Sequence, residues 1–478
     1  MSGDRLTALD ASFLRIEDHS AHMHVASVLT FEGEPPPYDE LVAGVEERLH
    51  LVPRYRQRVA FVPLGGGLPR WVDDPHLNLR YHIRHSALPE PAGEEQLRAL
   101  AGRVFAQPLD HDKPLWEIWL VEGLEGDRFA LITKTHHALI DGIAGVDLMT
   151  VLFDTEPDPT VPPDRGRPWL PKPMPSGTEL LADALVERAS SPLELARAAG
   201  DALRRPRRAV GALAREALGL GSLATSALSP APSSPYNTRI GPHRRFAWVR
   251  WDLPAAKAIK DRLGGTVNDA ILTAVGLALG RHLHRRGTST EGLELRAFVP
   301  VSVRGESGRG DTGNKVAGVM APLPVWAREP TTCFELVTEA MNGVKESGQA
   351  LGAKALTELS GFASPTILSQ AMRVATRRHL FNLVVTNVPG PQRPLYLAGR
   401  EMIDFVPMVP LARGQALGVA IMSYNGRLCF GLSGDWDAMH DLDEFADDLR
   451  AAIAELEAAV GVESTEALEG ERETARPG

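Results

Sequence analysis

Two adjacent imidazoles, a carboxylate four residues on and a glycine, in the stretch Lys134-Thr135-His136-His137-Ala138-Leu139-Ile140-Asp141-Gly142, are the residues of this 478-residue chain best suited to chemistry. A histidine has an ordinary pKa of about 6.5, so it can take a proton from a hydroxyl and give it back, which is general-base work. The pair lies between an apolar, β-branched run from Phe129 to Thr133, entered from Gly126-Asp127, and a run with Ile143, Val146, Met149 and Phe153 at helical spacing. This pattern predicts a strand-to-helix turn that delivers an imidazole, a place where folds put functional groups. Alternation along a strand sends His136 and His137 opposite ways, so only one faces a given cleft. Asp141 can touch an imidazole, or it can turn inward and hold the loop by an ion pair while Gly142 allows a tight turn. Spacing does not separate those roles.

The elements that must position these residues alternate. Leu6 to Leu14 reads as a short helical or irregular opening with Asp10 as a cap, Met23 to Phe31 as a strand, and Tyr38 to His50 as a helix with Leu41, Val42, Val45 and Leu49 on one face. Glu94 to Phe105 is a further helix and Ile118 to Val121 a further strand, so an α/β or α+β layered structure is expected. Pro114-Leu115-Trp116 stands before that strand, where a proline would start an edge strand and Trp116 would fill a gap. Eight prolines between 157 and 175 mark an extended linker. Residues 178–228 then repeat Leu, Ala and Val at helical spacing around Arg204, Arg205, Arg207, Arg208 and Arg215. Such a segment is either a solvated charged face or an interfacial helix whose arginines meet anionic headgroups. Ser229 to Pro235 is a second linker.

In the second half, Thr266-Val267-Asn268-Asp269-Ala270 opens an apolar helix from Ile271 to Leu283, and Asn and Asp at such a position commonly cap. Leu295 to Val303 and Phe381 to Thr386 read as buried strands. The first leads to a loop with Gly313-Asn314, the second ends in the turn Asn387-Val388-Pro389-Gly390-Pro391. Leu442 to Ala459 is an amphipathic last helix, followed by a polar tail expected to be disordered.

Composition excludes some functions. A net charge of −10 argues against a general nucleic-acid binder. Cys333 and Cys429 are too few for a disulfide framework and too far apart for a metal knuckle, which fits a reducing cytoplasm. No 18-residue apolar run and no hydrophobic leader core occur, so neither a bilayer span nor export is expected. No Gly-x-Ser-x-Gly elbow supplies a serine nucleophile, which disfavours a hydrolase.

His136-His137-x-x-x-Asp141-Gly142 resembles the active-site motif of the bacterial wax ester synthase/acyl-CoA:diacylglycerol acyltransferases, in the larger group of chloramphenicol acetyltransferase-like proteins and peptide-synthetase condensation domains. Pro114-Leu115-Trp116, Asn268-Asp269 before a helix, Asn387 to Pro391 and Ser423-Tyr424-Asn425-Gly426 are similar to further motifs of the family, in order from about Leu6 to Ala459. The resemblance implies two chloramphenicol-acetyltransferase-like α/β domains side by side with a tunnel at their junction. Residues 1–155 would form the domain with the histidines, 156–235 the Pro-rich linker and helical crossover, 236–460 the second domain and 461–478 a disordered tail.

It implies an enzyme that moves a long-chain acyl group from acyl-CoA to diacylglycerol, with wax esters from fatty alcohols as a further product. His137 would be the general base, with no covalent intermediate. His136 would wall the pocket or hydrogen-bond, Asp141 would hold the loop beside Gly142, and Pro114, Leu115, Trp116, Asn268 and Asp269 would contact substrate. No cofactor is implied, since acyl-CoA is a substrate. Expected partners are acyl-CoA, the acceptor alcohol and, by peripheral contact from the cytoplasm, a membrane or lipid-droplet surface. The same motif would also suit a condensation-type enzyme using carrier-protein thioesters, and the same tunnel a non-catalytic lipid-binding protein.

Overall fold

The computed structural model describes residues 5–65, 67–139, 151–158, 169–184, 186, 230–302, 316–346 and 379–462. Asp141, Gly142, the helix face from Ile143 to Met149, the arginines of the 178–228 segment, Gly313-Asn314 and the tail from residue 463 lie outside the described residues.

Alternating apolar residues build two six-stranded sheets. The first contains β1 (His24–Glu32), β4 (Ile83–Ala87), β5 (Trp116–Leu124), β6 (Arg128–His136), β11 (Tyr396–Leu397) and β12 (Arg400–Met408), in the order β11-β12-β1-β6-β5-β4. All its pairings are antiparallel except β4 with β5. Strand β5 is therefore interior rather than the expected edge strand. Pro114 is tolerated because it precedes the strand, where no ladder N–H is needed. The second sheet contains β7 (Arg244–Asp252), β8 (Leu295–Ser302), β9 (Val316–Leu323), β10 (Leu383–Pro389), β13 (Leu417–Tyr424) and β14 (Arg427–Asp435), in the order β7-β14-β13-β10-β8-β9. β2 (Gln57–Ala60) and β3 (Arg70–Asp73) form a separate hairpin.

The helices follow their sequence signals closely. α1 (Ala8–Ile16) is capped by Thr7, whose hydroxyl accepts the Asp10 N–H at 3.1 Å, and the expected cap, Asp10, sits in the first turn instead. α2 spans Tyr38–Arg48, α3 Leu79–His82 and α4 Glu94–Ala106. α5 (Leu253–Leu263) carries its proline in the first turn, where the missing N–H is harmless. α6 (Val267–Arg285), α7 (Pro330–Glu346) and α8 (Leu442–Ala459) complete the second half. β10 runs through Asn387 and Val388 to Pro389, beyond the expected turn, because each of those residues stays in parallel register with β13. No single described helix is long and apolar enough to cross a membrane.

Two features interlock the halves. β12, from the second half of the sequence, pairs with β1 and so completes the first sheet. A shared core of Leu97, Val104 and Phe105 from α4, Phe246 and Trp248 from β7, and Val406 from β12 lies between the sheets. Gly431 makes this approach feasible, since a Cβ there would stand 1.7 Å from the Pro407 carbonyl oxygen.

Candidate active site

His136 is the last residue of β6, wholly buried and in register with His24 of β1. Its N–H donates to the Leu115 carbonyl at 3.0 Å, and its Nδ1 accepts the Ala138 N–H at 3.0 Å, which closes the turn beyond the strand. A nitrogen that accepts carries no proton, so the neutral ring holds its hydrogen on Nε2. That Nε2 faces Glu17 Oε1 at 3.3 Å.

His137 is the first residue of the turn. Its N–H donates to the Met23 carbonyl at 2.8 Å, and its ring stacks on Phe13, with centroids 4.3 Å apart. Phe13 packs with Met23 against the core of the second sheet, whereas Ala138 and Leu139 belong to the core beneath the first. The imidazole thus sits where the two halves meet. Burial first, and the neighbouring His136 second, bring its pKa down to about 4. Among the described residues the buried Nδ1 has no partner of hydrogen-bonding geometry, and it lies beside the residue's own carbonyl. A proton on Nδ1, beside that carbonyl, leaves Nε2 as the free base.

Glu17 and His111 belong to the site and had no signal in the sequence, because they are brought to the turn only by folding. Glu17 follows α1 and accepts the Met23 N–H at 2.5 Å through Oε1, while His111 Nε2 lies 2.9 Å from Oε2. Burial alone would raise the Glu17 pKa, but His111, His136 and the Met23 N–H together hold it well below the usual carboxylate range. The same hydrogen bond raises the His111 pKa against its burial. The loop after Glu17 is stiff, as Asp18 Oδ1 accepts the Ser20 and Ala21 N–H groups at 2.7 and 3.0 Å. Arg413 and Arg244 of the second half hold it through Asp18 and the Ser20 carbonyl.

Glu17, His111 and His136 place three metal-capable atoms within 4.8 Å of one another. They do not suit a cation in this arrangement, because the His136 nitrogen on that side is the protonated one.

The other expected site residues divide. Leu115 is joined to the histidines through its carbonyl, and Pro114 is buried beside it. Trp116 is 1% exposed, donates its indole N–H to the Tyr55 carbonyl at 2.9 Å and stacks on His82, so its contacts are those of a core residue. Asp269 closes a capping box, accepting the Thr266 N–H and hydroxyl at 2.8 Å each. Asn268 is partly exposed, and its Oδ1 lies 3.5 Å from Asn387 Nδ2. Two open depressions of about 560 and 690 Å³, one beside Leu263 and Phe334 and one beside Tyr396 and Arg400, do not include His137.

Residues 6–271 match the family model of the wax ester synthase/diacylglycerol acyltransferase catalytic domain, and residues 312–457 match the C-terminal domain of the same family. The chain belongs to the wax ester synthase/diacylglycerol acyltransferase family. A putative diacylglycerol O-acyltransferase of Mycobacterium tuberculosis is 32% identical to this acyltransferase over 467 residues, covering 95% of this chain and 90% of that protein. A probable diacylglycerol O-acyltransferase of Mycobacterium tuberculosis is 30% identical, covering 95% and 96%. The solved wax ester synthase/diacylglycerol acyltransferase from Marinobacter aquaeolei superimposes with a TM-score of 0.66 at 27% identity, covering 96% of this acyltransferase and 100% of that chain. A starter condensation domain of rhizomide synthetase, at 13% identity and a TM-score of 0.56 over 96% and 94% of the two chains, shares the fold. The catalytic-domain match takes in both the histidine turn and the start of α6, so the two halves of the acyltransferase that carry Asn268 and His137 fall under one description.

Proposed function

We propose that this acyltransferase moves a long-chain fatty acyl group from acyl-CoA to the free hydroxyl of diacylglycerol, giving triacylglycerol, with His137 as general base. The placement of His137 supports the mechanism: its ring stacks on Phe13 where the cores of the two halves meet, and burial there lowers its pKa and so favours the neutral base. Nε2 takes the hydroxyl proton as the alcohol oxygen attacks the thioester carbon. The negative charge growing on the thioester oxygen favours the imidazolium that forms. Collapse of the tetrahedral intermediate breaks the carbon–sulfur bond, and the imidazolium returns its proton to the CoA thiolate. The thiolate is a good leaving group, so direct transfer needs no acyl-enzyme. Base catalysis of this kind contributes about 10²–10⁴-fold, and holding both substrates beside His137 would supply a further large factor. Asn268 would meet substrate polar atoms from the second half, a role supported by its partial exposure and by the length, 3.5 Å, of its contact with Asn387. A long-chain alcohol in place of diacylglycerol would give a wax ester by the same steps.

Acceptors of this kind reside in lipid, and peripheral contact with a membrane or droplet from the cytoplasm belongs to the same reading. Exposed Phe61, Leu64, Leu170 and Met174 around the β2–β3 hairpin support it. Flotation with anionic liposomes at low and high salt tests that contact, and failure to float at low salt removes it.

The activity is tested by following free CoA thiol and lipid products together. Thiol release that depends on diacylglycerol, with triacylglycerol as the product, is expected. Acyl-CoA that stays intact with both acceptors would overturn the assignment and leave a lipid-binding role.

A further inference from the structure

We propose that Glu17 is a positioning residue for acyl transfer, and that it acts by gripping the His137 turn from both sides while fixing the tautomer of His136. This rests on His137 as the base. Glu17 Oε1 accepts the Met23 N–H at 2.5 Å, and the carbonyl of Met23 is the acceptor for the His137 N–H at 2.8 Å. The same carboxylate faces His136 Nε2 at 3.3 Å, while the other nitrogen of that ring accepts the Ala138 N–H. One carboxylate therefore touches the residue on which the base leans and the residue that precedes it.

The arrangement works only for an ionised group. A carboxylate has acceptors alone, and here they take a hydrogen bond from the Met23 N–H and lie within ion-pair distance of two ring nitrogens, His136 Nε2 at 3.3 Å and His111 Nε2 at 2.9 Å. With its Nε2–H turned to Glu17, His136 keeps Nδ1 free for Ala138, and the turn closes. A ring with the other tautomer would set a hydrogen on Nδ1 against the Ala138 N–H and open the turn on which His137 sits. His111, on the solvent rim with 36% of its side chain exposed, holds the second oxygen and keeps the carboxylate from rotating. A glutamine at 17 offers one oxygen and two hydrogens, so a donor must face the protonated nitrogen of His136 or His111.

The test is Glu17→Gln in the full chain, read by steady-state kinetics with acyl-CoA and diacylglycerol, by thermal unfolding, and by the imidazole nitrogen resonances of ¹⁵N-histidine-labelled protein. The expected result is a kcat lower by about 10- to 100-fold, the scale for a displacement of about 1 Å at a reacting group. KM for both substrates should stay within about twofold, and the His136 signals should no longer report a proton on Nε2 alone. A role confined to stability would lower the unfolding temperature and leave kcat and the tautomer as they were. Should Glu17→Gln fail to fold, Glu17→Asp carries the same test, because the shorter side chain draws back the one oxygen, Oε1, that Met23 and His136 share. A folded variant with wild-type kcat, or one whose His136 keeps its tautomer, overturns the proposal. His137→Ala in the same assay separates the two readings: an inactive His137→Ala beside a fully active Glu17→Gln removes only the role of Glu17.

Discussion

With its pKa brought to about 4 by burial and by His136, His137 stays neutral across the range in which an exposed histidine would titrate. Two outcomes follow at the scale of the residue. The acid limb of kcat/KM assignable to this base should lie near pH 4 rather than near 6.5, in a pH profile taken with a non-titrating acyl donor. Stability shifts in a defined direction as well. Between pH 6.5 and 4 the unfolded chain binds a proton at this residue that the folded chain refuses, so folding weakens as pH falls through that window. Urea midpoints of wild type and His137→Gln across pH 4–7 check the sign, the variant showing the shallower dependence. Replacing the base itself is simpler: His137→Ala should lose about 10²–10⁴-fold in kcat while its far-UV spectrum and unfolding midpoint remain those of a folded protein. Retained turnover in that variant would remove the mechanism.

At the scale of the element, two neighbours on one helix are expected to part company. Asp269 closes the N-terminal box of α6, and Asp269→Ala leaves the Thr266 N–H and hydroxyl without their acceptor, a cost of about 1–2 kcal/mol in denaturant unfolding. Its kcat/KM should follow wild type. Asn268→Ala should do the reverse, raising KM for the acceptor with little change in unfolding free energy, because the amide's contact with Asn387 is long and the residue is partly open to solvent. Equal kinetics in the two variants would show that neither meets substrate. The strand side of the site is set by similar economy. Lys134, wholly buried in β6, donates to the Val104 and Gln107 carbonyls at the end of α4 and pairs with Glu117, so the strand that ends in His136 is tied to the helix behind it.

At the scale of the molecule, the first sheet cannot close without residues that come late in the chain. β12 covers the free edge of β1, and Met402 and Phe405 fill the same core as Phe31 and Phe129. Arg250 of β7 reinforces the joint by pairing with Glu94 of α4 at 2.6 Å and with buried Asp404 of β12 at 2.8 Å. Residues 1–158 expressed alone should therefore fail to give a cooperative unfolding transition, since they would expose an unpaired strand and an open core. A sharp calorimetric transition from that fragment would show the halves to be independent.

The amino-acid order by itself determined most of the local elements and the histidine pair in which the proposed base lies. Apolar periods of two and of about four residues are properties of neighbouring side chains, and they place α8 to the residue, α6 to within a few residues, and β6 short of its last three residues. The paired histidines at a strand end, with Pro114-Leu115-Trp116 before them, were enough to name the family that the comparisons then showed. What no local pattern could report is which distant side chains share a nitrogen's hydrogen bonds. Glu17 and His111 reach His136 only because α1, the α4–β5 connection and β6 converge, and the contact of Phe13 with His137 exists only because the halves are packed together. The low pKa of the base is likewise a product of that packing, as burial is a property of the assembled chain and not of any stretch of it.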